Sequence, residues 1–156
     1  MIDYLKGDAT KPVGDGNKVI AHVCNDIGKW GRGFVLAISK RWKQPEQVYK
    51  DAFKTGVKPV LGDVQFVKVS PTITVANMIA QHGVRSPKNT KAPPPIRYEA
   101  VEACLTKLAQ YAIENSTSVH MPRIGCGLAG GTWEEIEPRI NSAFSNQDIS
   151  VNIYDF

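Results

Sequence analysis

The run Val119-His120-Met121-Pro122-Arg123-Ile124 is short and largely apolar. It breaks into the glycine-dense stretch Gly125-Cys126-Gly127-Leu128-Ala129-Gly130-Gly131, and a helical pattern opens directly after it at Thr132 and Trp133. A strand, a glycine turn and a helix start, in that order, leave few folds open. The arrangement belongs to sheets whose strands feed helices, and the glycines supply positive φ and room for close approach. Unpaired N–H groups at such a turn point the same way as the helix dipole. The stretch is therefore also an anion cradle, suited to phosphate or diphosphate.

Gly125, Gly127 and Gly130 spell the dinucleotide fingerprint G-x-G-x-x-G. That fingerprint normally opens a first βαβ unit, with sheet still to come and an acidic residue ending the next strand. Here only one helix and one strand follow before Phe156, and Asp148 precedes that strand instead of ending it. A nicotinamide-dependent dehydrogenase does not fit.

A second glycine loop, Gly28-Lys29-Trp30-Gly31-Arg32-Gly33, follows the apolar run Lys18 to Cys24. The remaining pattern predicts strands at Ile2 to Lys6, Asp63 to Val69, Thr72 to Ala80, Val119 to Arg123 and Ile149 to Tyr154. It predicts helices at Phe34 to Trp42, Pro45 to Thr55, Tyr98 to Asn115 and Thr132 to Phe144. In the third helix Val101, Cys104, Leu105, Leu108, Ala112 and Ile113 are expected on one buried face. Gly83 to Pro95 reads as an exposed, mobile loop. Strands interleaved with helices give an α/β fold, a three-layer α/β/α sandwich with a mixed central sheet. In such sheets ligands settle beyond the carboxyl ends of the strands. Two glycine loops at that edge imply an extended ligand, such as a nucleotide diphosphate.

The 156 residues read as one domain, 1–156, long enough to bury a core. A net charge of +4 admits an anionic ligand, but the only tight basic group is Lys40, Arg41 and Lys43, so no specific nucleic-acid motif is present. No apolar run has the length of a membrane span, and no membrane partner is expected. The cysteines Cys24, Cys104 and Cys126 are odd in number and widely spaced, which points to a reduced, cytoplasmic setting. His22, His82 and His120 form no ligand pairs with them at zinc spacing, so neither a metal nor another cofactor is expected.

Four motifs resemble a macro domain. Gly7-Asp8-Ala9-Thr10 resembles the turn after the family's first strand. His22-Val23-Cys24-Asn25 stands at the family's strand end, with Asn25 on its last asparagine. Gly31-Arg32-Gly33-Phe34 matches the first phosphate loop and Gly125-Cys126-Gly127-Leu128 the second. The similarity covers nearly the whole chain in order and spacing. Ala21-His22, the string from Met121 to Leu128 and Val151-Asn152-Ile153-Tyr154 resemble the compact branch that holds the terminal ADP-ribose glycohydrolase and the yeast-type ADP-ribose 1''-phosphate phosphatase.

The resemblance implies ADP-ribose, a derivative, or an ADP-ribosylated macromolecule as partner. Asp8, beside Ala9, would accept a hydrogen bond from the adenine amino group, and Tyr154 or Phe156 would stack on the ring. The backbone at Gly31, Arg32, Gly33 and Phe34, and at Arg123, Ile124, Gly125, Cys126, Gly127 and Leu128, would hold the diphosphate. Asn25 would reach the distal ribose. From the residues alone, Asp8 also fits a turn cap, Tyr154 and Phe156 fit ordinary core or edge positions, and Asn25 fits a loop start.

Hydrolysis at the distal ribose end is the expected chemistry, and a non-catalytic ADP-ribose reader is the alternative. The chain departs from the glycohydrolase pattern twice: Ala129 stands where that enzyme has a catalytic aspartate, and Gln81-His82 where it has a lysine. His22 is then the candidate acid–base group, with Asp26 to orient it or a water. A histidine in an apolar strand equally fits a buried core residue. In a regular strand His22 and Asn25 would also point to opposite faces.

Overall fold

The computed structural model describes residues 2–84 and 93–156. It contains strands β1 (Ile2–Lys6), β2 (Asn17–Asn25), β3 (Val64–Lys68), β4 (Ile73–Gln81), β5 (Thr117–Pro122) and β6 (Val151–Asp155), with helices α1 (Phe34–Arg41), α2 (Gln44–Ala52), α3 (Tyr98–Asn115) and α4 (Trp133–Phe144). Each expected element is present, its ends displaced by at most three residues. Most of the loop expected over Gly83 to Pro95 falls on residues 85–92, outside the described residues.

The strands form one six-stranded sheet in the order β1-β6-β5-β2-β4-β3. Every neighbouring pair is parallel except β3 with β4, which makes the sheet mixed. The layering follows from side-chain alternation. On β2, Val19 and Ala21 pack with α3 and α4, while Ile20 and Cys24 pack with α1 and α2. A central strand covered on both faces can afford no solvent-facing polar row, which is why Lys18 to Cys24 reads as nearly unbroken apolar sequence. The result is the α/β/α sandwich.

One expected core position is corrected. Ile113 is 51% exposed, whereas Val101, Cys104, Leu105, Leu108 and Ala112 are buried. It lies two and a half turns beyond Cys104, at about 3.6 residues per turn, and so on the opposite side of α3. Among the described residues no helix is long and apolar enough to cross a membrane.

Parallel pairing gathers the carboxyl ends of β1, β6, β5, β2 and β4 along one edge. At that edge β2 and β4 fall out of register: Cys24 pairs with Ile79 but Asn25 with Gln81. The skipped residue in β4 turns Asn25 towards the α1/α2 face, where it meets Tyr49 of α2. His22 lies on that face too, between Trp30 and Phe34. The opposite-face geometry of a regular strand therefore does not apply at the last residue of β2, beside which the pairing with β4 slips by one residue.

Candidate ligand-binding site

A cavity of about 500 Å³ opens at this edge. Its floor and walls come from Val23, Cys24 and Asn25 at the end of β2, Lys29 to Arg32 with Val35 on the first glycine loop and α1, Gln81 and Val84 after β4, and Leu128 on the second glycine loop. A larger concavity, about 780 Å³, is an open groove between α3 and α4, far from the strand ends. The edge cavity is where the sequence-derived loops meet.

The first loop is held by side chains. The Asn25 amide accepts from the N–H groups of Ile27 and Lys29, at 3.1 and 3.2 Å, and donates to the Lys29 carbonyl at 2.6 Å. The Tyr49 hydroxyl donates to both the Asn25 side chain and its backbone carbonyl. The Trp30 indole N–H donates to Ser39, which in turn donates to Glu46, tying the loop to both helices. Beyond these anchors the N–H groups of residues 31–35 donate to no acceptor among the described residues. Gly33, with φ 79°, precedes α1 as a cap without a side-chain hydrogen bond. Five successive amides at a helix start, left unpaired in this way, form a concave anion nest.

The second loop divides its glycines between two tasks. A Cβ on Gly131 would lie 2.5 Å from the Gly125 carbonyl oxygen, and one on Gly125 would lie 2.8 Å from Ile96. Those two glycines serve the packing of the turn. A Cβ on Gly127, or on Gly31 across the cavity, would meet nothing within 4 Å. Gly31 lines the cavity, and its bareness keeps that wall open. The N–H groups of residues 127–129 are unpaired among the described residues.

Charge matches the amides. Lys29 and Arg32 line the cavity, and no carboxylate does among the described lining residues. At the far end of the edge, Asp8 accepts from the N–H and hydroxyl of Thr10 through one oxygen, at 2.8 and 2.7 Å. Burial alone would raise its pKa. The two Thr10 hydrogen bonds, with the charges of Lys11 and Arg41, more than offset this and hold it below the usual carboxylate value. Asp8 is thus an ionised turn cap whose second oxygen is not used by Thr10, and Ala9 beside it is buried.

Other expected residues are placed differently. His22 is 1% exposed, with Nε2 2.6 Å from the Asn77 amide oxygen. Burial drives its pKa down to about 4, against the opposing effect of that hydrogen bond. The ring packs against Trp30 and Phe34, the surroundings of a hydrogen-bonded core histidine. Asp26 is not beside it: its carboxylate meets His82 Nδ1 and the Gly83 N–H, each at 2.8 Å.

The Arg123 side chain pairs with Asp155 at 2.6 and 3.0 Å, its guanidinium over both Tyr4 and Trp133. Ile124 is core, and Cys126 is half-buried with its thiol pushed up by burial, partly countered by Arg123. Tyr154 is 4% exposed, its hydroxyl accepting from the Val13 N–H and bonded to His120, which leaves the fully exposed Phe156 as the free aromatic at that end. Lys29, Trp30, Val35 and Tyr49 went unrecognised as site residues in the sequence. A tryptophan inside a glycine loop was the one available signal.

Fold and site together define an α/β domain that presents two amide-lined loops, the first of them carrying two cations, along the carboxyl edge of its sheet. No protein-family model matches the chain. A macrodomain protein of Streptomyces coelicolor of known structure is 47% identical, covers 100% of this chain and 99% of its own, and superposes with a TM-score of 0.87. The chain belongs to the macrodomain family.

The mouse (Mus musculus) chromodomain-helicase-DNA-binding protein 1-like is 32% identical over 99% of this chain, which spans 18% of that much longer protein. The ADP-ribose 1''-phosphate phosphatase of Candida albicans is 29% identical over 99% of both chains.

Proposed function

We propose that this domain binds ADP-ribose or a close derivative along the carboxyl edge and hydrolyses it at the distal ribose end, with the 1''-phosphate as leading substrate. The observation that carries the reading is the pair of loops, residues 31–35 and 127–129, whose amides have no acceptor among the described residues and which border a cavity lined by Lys29 and Arg32. Fixed N–H dipoles and a helix N-terminus favour a diphosphate without any reorganisation on binding. The ionised Asp8 carboxylate suits an exocyclic adenine amino group, which donates, and disfavours guanine, which presents a carbonyl there. The exposed Phe156 is available to cover the ring. The cations Lys29 and Arg32 suit a further phosphate on the distal ribose. The Candida albicans relative, matched end to end and named for that substrate, supports the same reading. The free cysteines support a cytoplasmic location.

A reader without turnover is the second reading. Ala129 in place of an acidic residue favours it, as do the sealed His22 and the fully engaged Asn25 side chain. Calorimetric titration with ADP-ribose, on the wild type and Asp8→Ala, tests binding. Phosphate release from ADP-ribose 1''-phosphate tests turnover. Binding that is weakened at least about tenfold by Asp8→Ala is expected, a loss of about 1.4 kcal/mol or more. Absence of any binding heat in the wild type would overturn both readings.

A further inference from the structure

We infer that His82, held by Asp26, is the general base that activates water for the proposed hydrolysis. The inference rests on that hydrolytic reading. It begins with what the cavity lacks. Of its described lining residues only Lys29, Arg32 and Cys24 ionise, and the Cys24 thiol is pushed far up by burial, with Cys104 adding to the effect. Neither cation accepts a proton at neutral pH, and His22 is sealed beneath aromatic rings. A base must come from the rim.

The rim holds one histidine–carboxylate pair of suitable build. Asp26 follows cavity-lining Asn25, and His82 with Gly83 stands between cavity-lining Gln81 and Val84. The pair is therefore flanked by the cavity wall on both strands. Its partners are 56 residues apart in sequence. The β2–β4 bulge sets them side by side: the Asp26 N–H donates to the Gln81 carbonyl at 3.0 Å, one position beyond the Asn25–Gln81 pairing.

The two members of the pair are held unequally. The Asp26 side chain is 16% exposed and both its oxygens are engaged, one by the Gly83 N–H and one by His82 Nδ1, each at 2.8 Å. The His82 side chain is 61% exposed. A carboxylate anchored to the backbone behind a solvent-facing ring does more than an exposed ion pair, which contributes little to stability. It fixes the tautomer with the proton on Nδ1, which leaves the Nε2 lone pair to accept a proton from water. Asp26 is on this account a positioning residue.

In the step itself, a water oxygen attacks the phosphorus of the 1''-phosphate while Nε2 of His82 takes the water's proton. The bond from phosphorus to the 1'' oxygen breaks, its electron pair staying on that oxygen, which is protonated from solvent. ADP-ribose and inorganic phosphate result, and His82 returns its proton to bulk water.

The test is phosphate release from ADP-ribose 1''-phosphate by the wild type, His82→Ala, His82→Gln and Asp26→Asn, with ADP-ribose affinity measured on each. Both His82 variants are expected to lose about 100-fold or more in kcat, in line with general-base contributions. Asp26→Asn is expected to lose about tenfold or more in kcat with KM unchanged, and all variants to keep ADP-ribose affinity within about threefold. Turnover by His82→Ala within about threefold of wild type overturns the inference and leaves the hydrolytic reading standing. Loss of ADP-ribose binding in the His82 variants overturns it also, since the ring would then be a ligand contact or a structural prop. A wild type that binds ADP-ribose but releases no phosphate overturns the hydrolytic reading and this inference together.

Discussion

His22→Gln separates a core histidine from a catalytic one through stability alone. In the folded protein burial lowers the His22 pKa to about 4, while an unfolded chain has the ordinary 6.5. Below about pH 6.5 the unfolded state takes up the proton first, so stability is complete above that value and is lost progressively as pH falls towards 4. Linkage between those two values gives about 2 kcal/mol lost from pH 7.5 to pH 5.0 through His22 alone. Glutamine can still donate to the Asn77 amide oxygen, which His22 meets at 2.6 Å, but it does not titrate. The assay is urea unfolding of both proteins at the two pH values. The variant is less stable at pH 7.5 because its packing against Trp30 and Phe34 is poorer, so the slopes with pH are compared, not the absolute values. His120, also lowered to about 4 by burial and by Lys18, titrates in both proteins and cancels. Wild type is expected to lose about 2 kcal/mol more than the variant. Equal losses would refute the reasoning, because His22 would then be reachable by water and its exclusion from proton transfer would fall with it.

The two tasks assigned to glycine in the second loop separate by substitution. Gly127→Ala should leave Tm unchanged and weaken ADP-ribose binding at least about tenfold, about 1.4 kcal/mol, by calorimetry. Gly131→Ala should destabilise the fold by about 1–3 kcal/mol in urea, because its Cβ would meet the Gly125 carbonyl oxygen at 2.5 Å. Tyr49→Phe removes a buried hydroxyl that donates to Asn25, and should cost about 1–3 kcal/mol while weakening ADP-ribose binding through a looser first loop. Arg123→Ala should lower Tm by removing the contacts to Asp155, Tyr4 and Trp133, with ADP-ribose affinity unchanged. A strong loss of affinity there would return Arg123 to the ligand site.

The fold was legible because its signals are local. Runs such as Lys18 to Cys24 and Thr72 to Ala80 carry the composition of strands covered on both faces, and each glycine loop sits beside the strand it ends. The motifs built on backbone geometry were legible for the same reason: a peptide N–H is where the chain puts it, whatever side chain follows. Side-chain surroundings were not legible where a long-range contact decides them. Nothing in His22-Val23-Cys24-Asn25 announces that β4 skips a residue against β2, yet that slip turns Asn25 onto Tyr49. Arg123 adjoins the loop in sequence, which says nothing of where its side chain goes. Two aromatic rings and Asp155, from three other elements, take it elsewhere.

The same slip accounts for where the chemistry now points. With β2 and β4 in unbroken register, Asn25 would pair with Ala80 and Asp26 with Gln81. The observed pairing moves Asp26 on to His82 instead. One unpaired residue thus accompanies a strand-end asparagine whose side chain is engaged by Tyr49 and Lys29, and sets an oriented imidazole at the rim. In a chain whose Ala129 and Gln81 depart from the glycohydrolase pattern, a displaced base of this kind is the route by which water could still be activated, and restoring the register would be expected to abolish it.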